Sequence, residues 1–68
     1  MRTKIIGKNI KKYRKEKGYT QEELAKKIGK SHITIRKYET GVLGPSAYSM
    51  SIIAKVLEIS ICDILKGE

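Results

Sequence analysis

Apolar positions along this chain recur at helical rather than strand spacing. Ile6, Ile10 and Tyr13 fall at i, i+4 and i+7, with Arg14 next on the same face. This predicts a first helix from about Lys4 to Lys17. Gly18 supplies its stop, and the late cations complement the negative end of the helix dipole. Leu24, Ala25 and Ile28, at i, i+1 and i+4, mark a second helix opening at Gln21. Thr20, with Glu23 three residues on, has capping-box spacing: the hydroxyl accepts from a first-turn amide and the carboxylate reaches back to the cap amide. Gly29 follows, where a left-handed conformation ends a helix at little steric cost. Ser31 is the next good N-cap and opens a third helix that runs to about Thr40, where Gly41 stops it.

The second half continues the pattern. Ser46 caps a fourth helix, about Ala47 to Leu57, with Met50, Ile53, Ala54 and Leu57 facing inward. Ser60 and Asp63 repeat the capping-box spacing before a short fifth helix that presents Ile61, Ile64 and Leu65. Pro45 falls in the loop between the third and fourth helices. No period-two segment and no Asn-Gly or Asp-Gly turn appears, so the expected class is all-α, with five short helices.

Helix three divides cleanly by angle at about 100° per residue. Thr34, Ile35, Tyr38 and Glu39 share one side, suited to packing on Leu24, Ala25 and Ile28. His32, Ile33, Arg36, Lys37 and Thr40 share the other. The small Ala25 lets the two helices approach closely. Two short helices joined by a tight turn, the second with an exposed polar face, form the usual sequence pattern of a helix-turn-helix DNA reader, here at about residues 20–41. Ile33 is an unsupported isoleucine on that polar face, and in a major groove it would meet a thymine methyl.

Motifs along the rest of the chain point the same way. They are Ile6-Gly7, Ile10 and Arg14, then Gly18-Tyr19-Thr20-Gln21, then Glu23-Leu24-Ala25 and Gly29. Ile35 with Glu39-x-Gly41 follows, then Pro45-Ser46, Ala54 and Leu57, and last Ile59-Ser60, Asp63 and Leu65. In this order and without gaps, from Ile6 to about Gly67, the chain resembles the lambda-repressor-like, XRE-type helix-turn-helix family of phage and bacterial regulators. The resemblance implies a compact five-helix fold and double-stranded DNA as partner. It also implies a two-fold homodimer on a near-palindromic site.

It carries site residues as well. Gln21 matches the family's phosphate-anchoring glutamine, at a positive helix end that favours an anionic oxygen. Lys30, Ser31, Thr40 and the backbone from Gly41 to Leu43 are the further phosphate candidates. His32, Ile33, Arg36 and Lys37 are the candidates for base edges, Arg36 or Lys37 suiting guanine O6/N7. Arg14 has two readings: an inward partner of Glu39, as the resemblance implies, or a phosphate contact. The former is favoured because a buried charge needs a partner. Lys8, Lys11, Lys12 and Lys15 read as a solvated face, part of it within reach of backbone phosphate. Ile52, Ile59 and Ile61 are surplus aliphatics and the candidate dimer surface.

Two positions depart from the family pattern. Lys30 stands where an apolar residue is usual, so either the turn is more open or the lysine stem lies over the core with its ammonium toward phosphate. Ser51 and Ile52 are exchanged relative to the usual apolar–polar order, which puts Ile52 at the surface of helix four.

Composition sharpens the picture. Sixty-eight residues make one domain, 1–68, that buries only ~60% of its unfolded surface. Its initiating methionine and fit to one module suggest a complete small protein. The net charge is +8, and residues 1–37 hold 13 of the 15 Lys/Arg and three of the seven acids. The half with the helix-turn-helix thus carries +10 and the rest −2, a one-sided field that steers a polyanion. A lysine-rich surface kept for solubility, or biased genome composition, explains many of the lysines and explains the asymmetry less well.

Cys62 is the single cysteine, so no internal disulfide forms, and it reads as a small core or partly exposed residue in a reducing, cytoplasmic and nucleoid-associated setting. No signal peptide or transmembrane stretch is present. No phosphate-binding glycine loop, HExxH or CxxC occurs, so neither catalysis nor a metal or other cofactor is expected. The expected function is a sequence-specific DNA-binding transcriptional regulator, a repressor by preference. The alternative is a protein-interaction module, an antitoxin or a coactivator-like adapter, using the same fold.

Overall fold

A computed structural model describes residues 3–67. Met1, Arg2 and Glu68 of the expected domain lie outside the described residues. The chain forms α1 (Thr3–Glu16), α2 (Gln21–Ile28), α3 (His32–Thr40), α4 (Ala47–Leu57) and α5 (Ile61–Leu65). Helix one begins and ends one residue earlier than its pattern suggested, because Lys17 and Gly18 already form the turn.

Local chemistry sets these boundaries. The hydroxyl of Thr20 accepts from the Glu23 amide at 3.0 Å, and the Glu23 carboxylate accepts from the Thr20 amide at 2.8 Å. Ser31, Ser46 and Ser60 cap α3, α4 and α5 in the same way, and Asp63 completes a second capping box. Gly29 ends α2 at φ 74, and the Lys30 amide behind it donates to the Ala25 carbonyl at 2.9 Å. That closes a Schellman turn. The turn is therefore tight, and Lys30 is exposed.

One core joins all five helices: Ile6 and Ile10 of α1, Leu24, Ala25 and Ile28 of α2, Ile35 and Tyr38 of α3, Ile53, Ala54 and Leu57 of α4, and Ile64 of α5. Helix α3 packs against both α1 and α2, while α5 closes against α1 and α4. Each fully buried Ile or Leu contributes roughly 1.5–3 kcal/mol relative to exposure.

Two inward assignments change, both on α5. Met50 packs half-buried against the core as its spacing implied, and Ser49 is the buried polar residue of α4, its hydroxyl accepting from Ser46 Oγ at 3.1 Å. Ile61 and Leu65 remain 39% and 37% exposed, so α5 commits only Ile64 to the core. Of the two readings of Cys62, core or partly exposed, the structure has it exposed. Ile52, expected at the surface, is half-buried against the core, as is Ile59. A five-residue helix has a single inward position, and the rest of its aliphatics stay at the surface.

Candidate nucleic-acid interface

Helix α3 is held from behind. Ile35 is fully buried and Tyr38 nearly so, which fixes the rotation of the helix about its axis. The carboxylate of Glu39 turns inward and meets Arg14 in a fork: Nε to Oε2 at 2.6 Å and an Nη to Oε1 at 3.1 Å. The other Nη donates to the Tyr19 carbonyl at 2.7 Å. Arg14 is buried with every nitrogen engaged, and these bonds tie α1 to α3 and to the approach of α2.

The opposite face of α3 presents His32, Ile33, Arg36 and Lys37 to solvent, with no acid among them. Ile33 is 53% exposed, a large apolar side chain set among cations. The ion pairs found among the described residues, Arg14–Glu39 and Lys17–Glu58, involve none of these groups. Beside the start of α3 an open groove of about 520 Å³ is lined by Thr20, Glu22, Lys26, Lys30 and His32. Lys30 thus lies next to His32 at the end of the exposed face.

The phosphate candidates divide by their free donors. Lys30 has an exposed ammonium. The Ser31 hydroxyl accepts from the Thr34 amide at 3.3 Å and shares one proton with Thr34 Oγ1 at 3.1 Å. Gln21 is half-buried, and its side-chain amide donates to Glu39 Oε1 at 3.0 Å. One of its two N–H groups is thus committed to the ion pair, and the other is left for an outside acceptor. The Thr40 hydroxyl donates back to the Arg36 and Lys37 carbonyls. The Gly41 amide donates to the Tyr38 carbonyl at 3.2 Å, and the Leu43 amide to the Lys37 carbonyl at 3.2 Å. At this end of α3 those protons are already used in closing the helix.

Sequence reasoning missed several features here. The link from Gln21 to Glu39 joins α2 to α3 and, through Arg14, to α1, yet no periodicity reveals it. Val42 is 75% exposed and Leu43 45%, an apolar pair that follows α3 directly and that the glycines around it had marked only as loop, and Tyr48 in the first turn of α4 is 75% exposed as well.

The helix-turn-helix family profile matches residues 10–64. The chain belongs to this family. It is 40% identical over 68 residues to the HTH-type transcriptional regulator YazB of Bacillus subtilis, covering all of this chain and 99% of that one. It is 37% identical over 62 residues to the transcriptional regulator SinR of Bacillus subtilis, covering 90% of this chain and 56% of that one. The chain spans about half the length of several curated relatives that it matches. The structure of SinR in complex with DNA superposes with a TM-score of 0.84, over 90% of this chain and 98% of that chain at 37% identity. The P22 c2 repressor in complex with a synthetic operator superposes with a TM-score of 0.85 at 28% identity, over 93% and 96% of the two chains. Family and fold are those of DNA-binding regulators. No helix among the described residues is long and apolar enough to cross a membrane.

Proposed function

We propose that the protein is a sequence-specific double-stranded DNA-binding transcriptional regulator, a repressor, acting in the compartment that holds the DNA. The observation that carries this reading is the outer face of α3: a rigidly seated helix showing Ile33 between His32, Arg36 and Lys37, free of acids and of ion pairs. Such a face serves a major groove. Arg36 or Lys37 donates to guanine O6/N7, His32 pairs with a base edge or an adjacent phosphate, and Ile33 packs on a thymine methyl. Gln21 and Lys30 at the two ends of α2, together with Ser31, set the register on the backbone. The committed protons of Thr40 and Gly41 leave them as positioning elements of the α3 terminus. A two-fold dimer, its contact drawn from Ile61 and the exposed edges of Ile52 and Ile59, places two such helices on a near-palindromic operator.

Selection from a randomised duplex pool, with affinity for the winner followed across salt, tests the reading. An enriched near-palindrome bound far more tightly than random duplex supports a dimeric sequence reader. Weak binding that fades evenly with salt for every duplex rejects it in favour of a protein-interaction module.

A further inference from the structure

A second cationic surface lies on the outer side of α1, apart from the outward face of α3. Lys4, Lys8, Lys11, Lys12 and Lys15 fall within an arc of about 100° on α1, opposite the side that buries Ile6 and Ile10. All five are exposed, and the ridge they form runs roughly 16 Å along the helix. The only acid of α1 is Glu16, at its last position. The Lys12 ammonium rests 5.0 Å from the centre of the Tyr13 ring, a contact that orients the charge without neutralising it.

Beside this ridge is a cleft of about 400 Å³, lined by Ile5, Lys8, Asn9, Lys12, Lys66 and Gly67. Its walls are mainly apolar, from Ile5 and the lysine stems, and three ammonium groups stand around them with no acid. The floor is built rather than incidental. The Asn9 side-chain amide donates to the carbonyls of Ile64 and Lys66, each at 2.7 Å, and so holds the segment after α5 against α1. None of the lining residues belongs to α2 or α3, so the cleft stays open while α3 is engaged.

The geometry points to a docking site for an acidic peptide segment of a partner protein: one apolar side chain seated in the cleft, with carboxylates lying along the lysine ridge. Charge complementarity selects an acidic partner, since the ridge offers five cations and the cleft adds Lys66. The apolar cleft selects a peptide over a second duplex, whose bases are stacked away and offer no side chain to fill it. The length of the ridge selects an extended segment over a small anion. This site does not depend on the DNA reading of α3.

The test uses a short fluorescein-labelled peptide of glutamates around one central phenylalanine, followed by anisotropy at physiological salt. A second peptide has serine in place of the phenylalanine. The phenylalanine peptide binds, the serine peptide binds about tenfold more weakly, and Lys8→Glu/Lys12→Glu abolishes the difference. Both replaced lysines are exposed, and an unchanged circular dichroism melt certifies that the variant folds. Arg36→Ala/Lys37→Ala retains peptide binding whatever happens to duplex affinity, which separates this site from the DNA surface. Equal binding of the two peptides reduces the ridge to charge attraction and overturns the proposal. Displacement of the phenylalanine peptide by random duplex from the Arg36→Ala/Lys37→Ala variant assigns the ridge to nucleic acid, and also overturns it.

Discussion

Gly7 of α1 approaches the backbone of Tyr38 in α3 so closely that a Cβ added to it would stand 2.0 Å from the Tyr38 carbonyl oxygen and 2.8 Å from that of Glu39. Both obstacles are backbone, so no side chain can swing aside. Gly7→Ala must push α1 off α3, at a cost of about 3 kcal/mol, the upper end of overpacking penalties. Urea unfolding measures it, and an unshifted midpoint would contradict the close approach.

The Arg14–Glu39 fork sits at the same helix crossing. Glu39→Leu strands a buried guanidinium and costs ~3–5 kcal/mol, while Arg14→Met/Glu39→Leu recovers most of that loss. A domain of this size is expected to have a total stability of roughly 3–10 kcal/mol, so the single variant loses about a third or more of it and unfolds at the low end of that range. Thermal melts of the two variants decide the matter: equal losses would mean that the pair is not coupled.

Exposed cations should separate by role. Arg36→Ala is expected to cost ~1–3 kcal/mol on the selected duplex and to relax preference at one base position. Lys30→Ala should weaken all duplexes evenly and lower the salt slope by about 1. Anisotropy titrations across salt and across single-base variants of the site measure both. The reverse pattern would exchange the two assignments.

At the surface, Lys17 and Glu58 join the turn after α1 to the end of α4. The hydrogen bond from Lys17, and then its charge, lower the Glu58 carboxyl below its ordinary value of 4.5. The same bond raises Lys17 above 10.5. A depressed carboxyl stabilises the fold above its unfolded value and loses that contribution as pH falls through the folded one. A raised amine contributes below its unfolded value and loses that as pH climbs past the folded one. The stability difference between the parent and Lys17→Ala should therefore be greatest between these limits. It should vanish in acid and in strong base, and shrink in high salt, because both groups lie at the surface. Melts across pH and salt check this; a difference that persists in acid would assign it to packing instead.

Glu58 also ends α4 in the left-handed region, at φ 59, the only non-glycine among the described residues to do so. Glu58→Gly removes that strain along with the ion pair. Backbone relief should prevail over a screened surface contact and raise the melting temperature. A lower melting temperature would show that the pair matters more.

The helices and their ends were legible because their causes are local. A capping hydroxyl and the amide that it meets lie within one turn, as in Thr20–Glu23 and Ser60–Asp63, so spacing along the chain is spacing in space. The two faces of α3 follow from its rotation per residue alone, which is why the outward set of His32, Ile33, Arg36 and Lys37 could be read before any fold was known. What tertiary structure decided is whatever depends on which helices meet. Asn9 satisfies carbonyls 55 and 57 residues away, Gln21 braces Glu39 across two helices, and Gly7 is required only because α3 crosses there. The same holds for Ile52 turning partly inward while Ile61 and Leu65 stay out. Amphipathic spacing tells which residues share a face, but burial depends on how much of that face a neighbouring helix covers, and that is a property of the assembled fold.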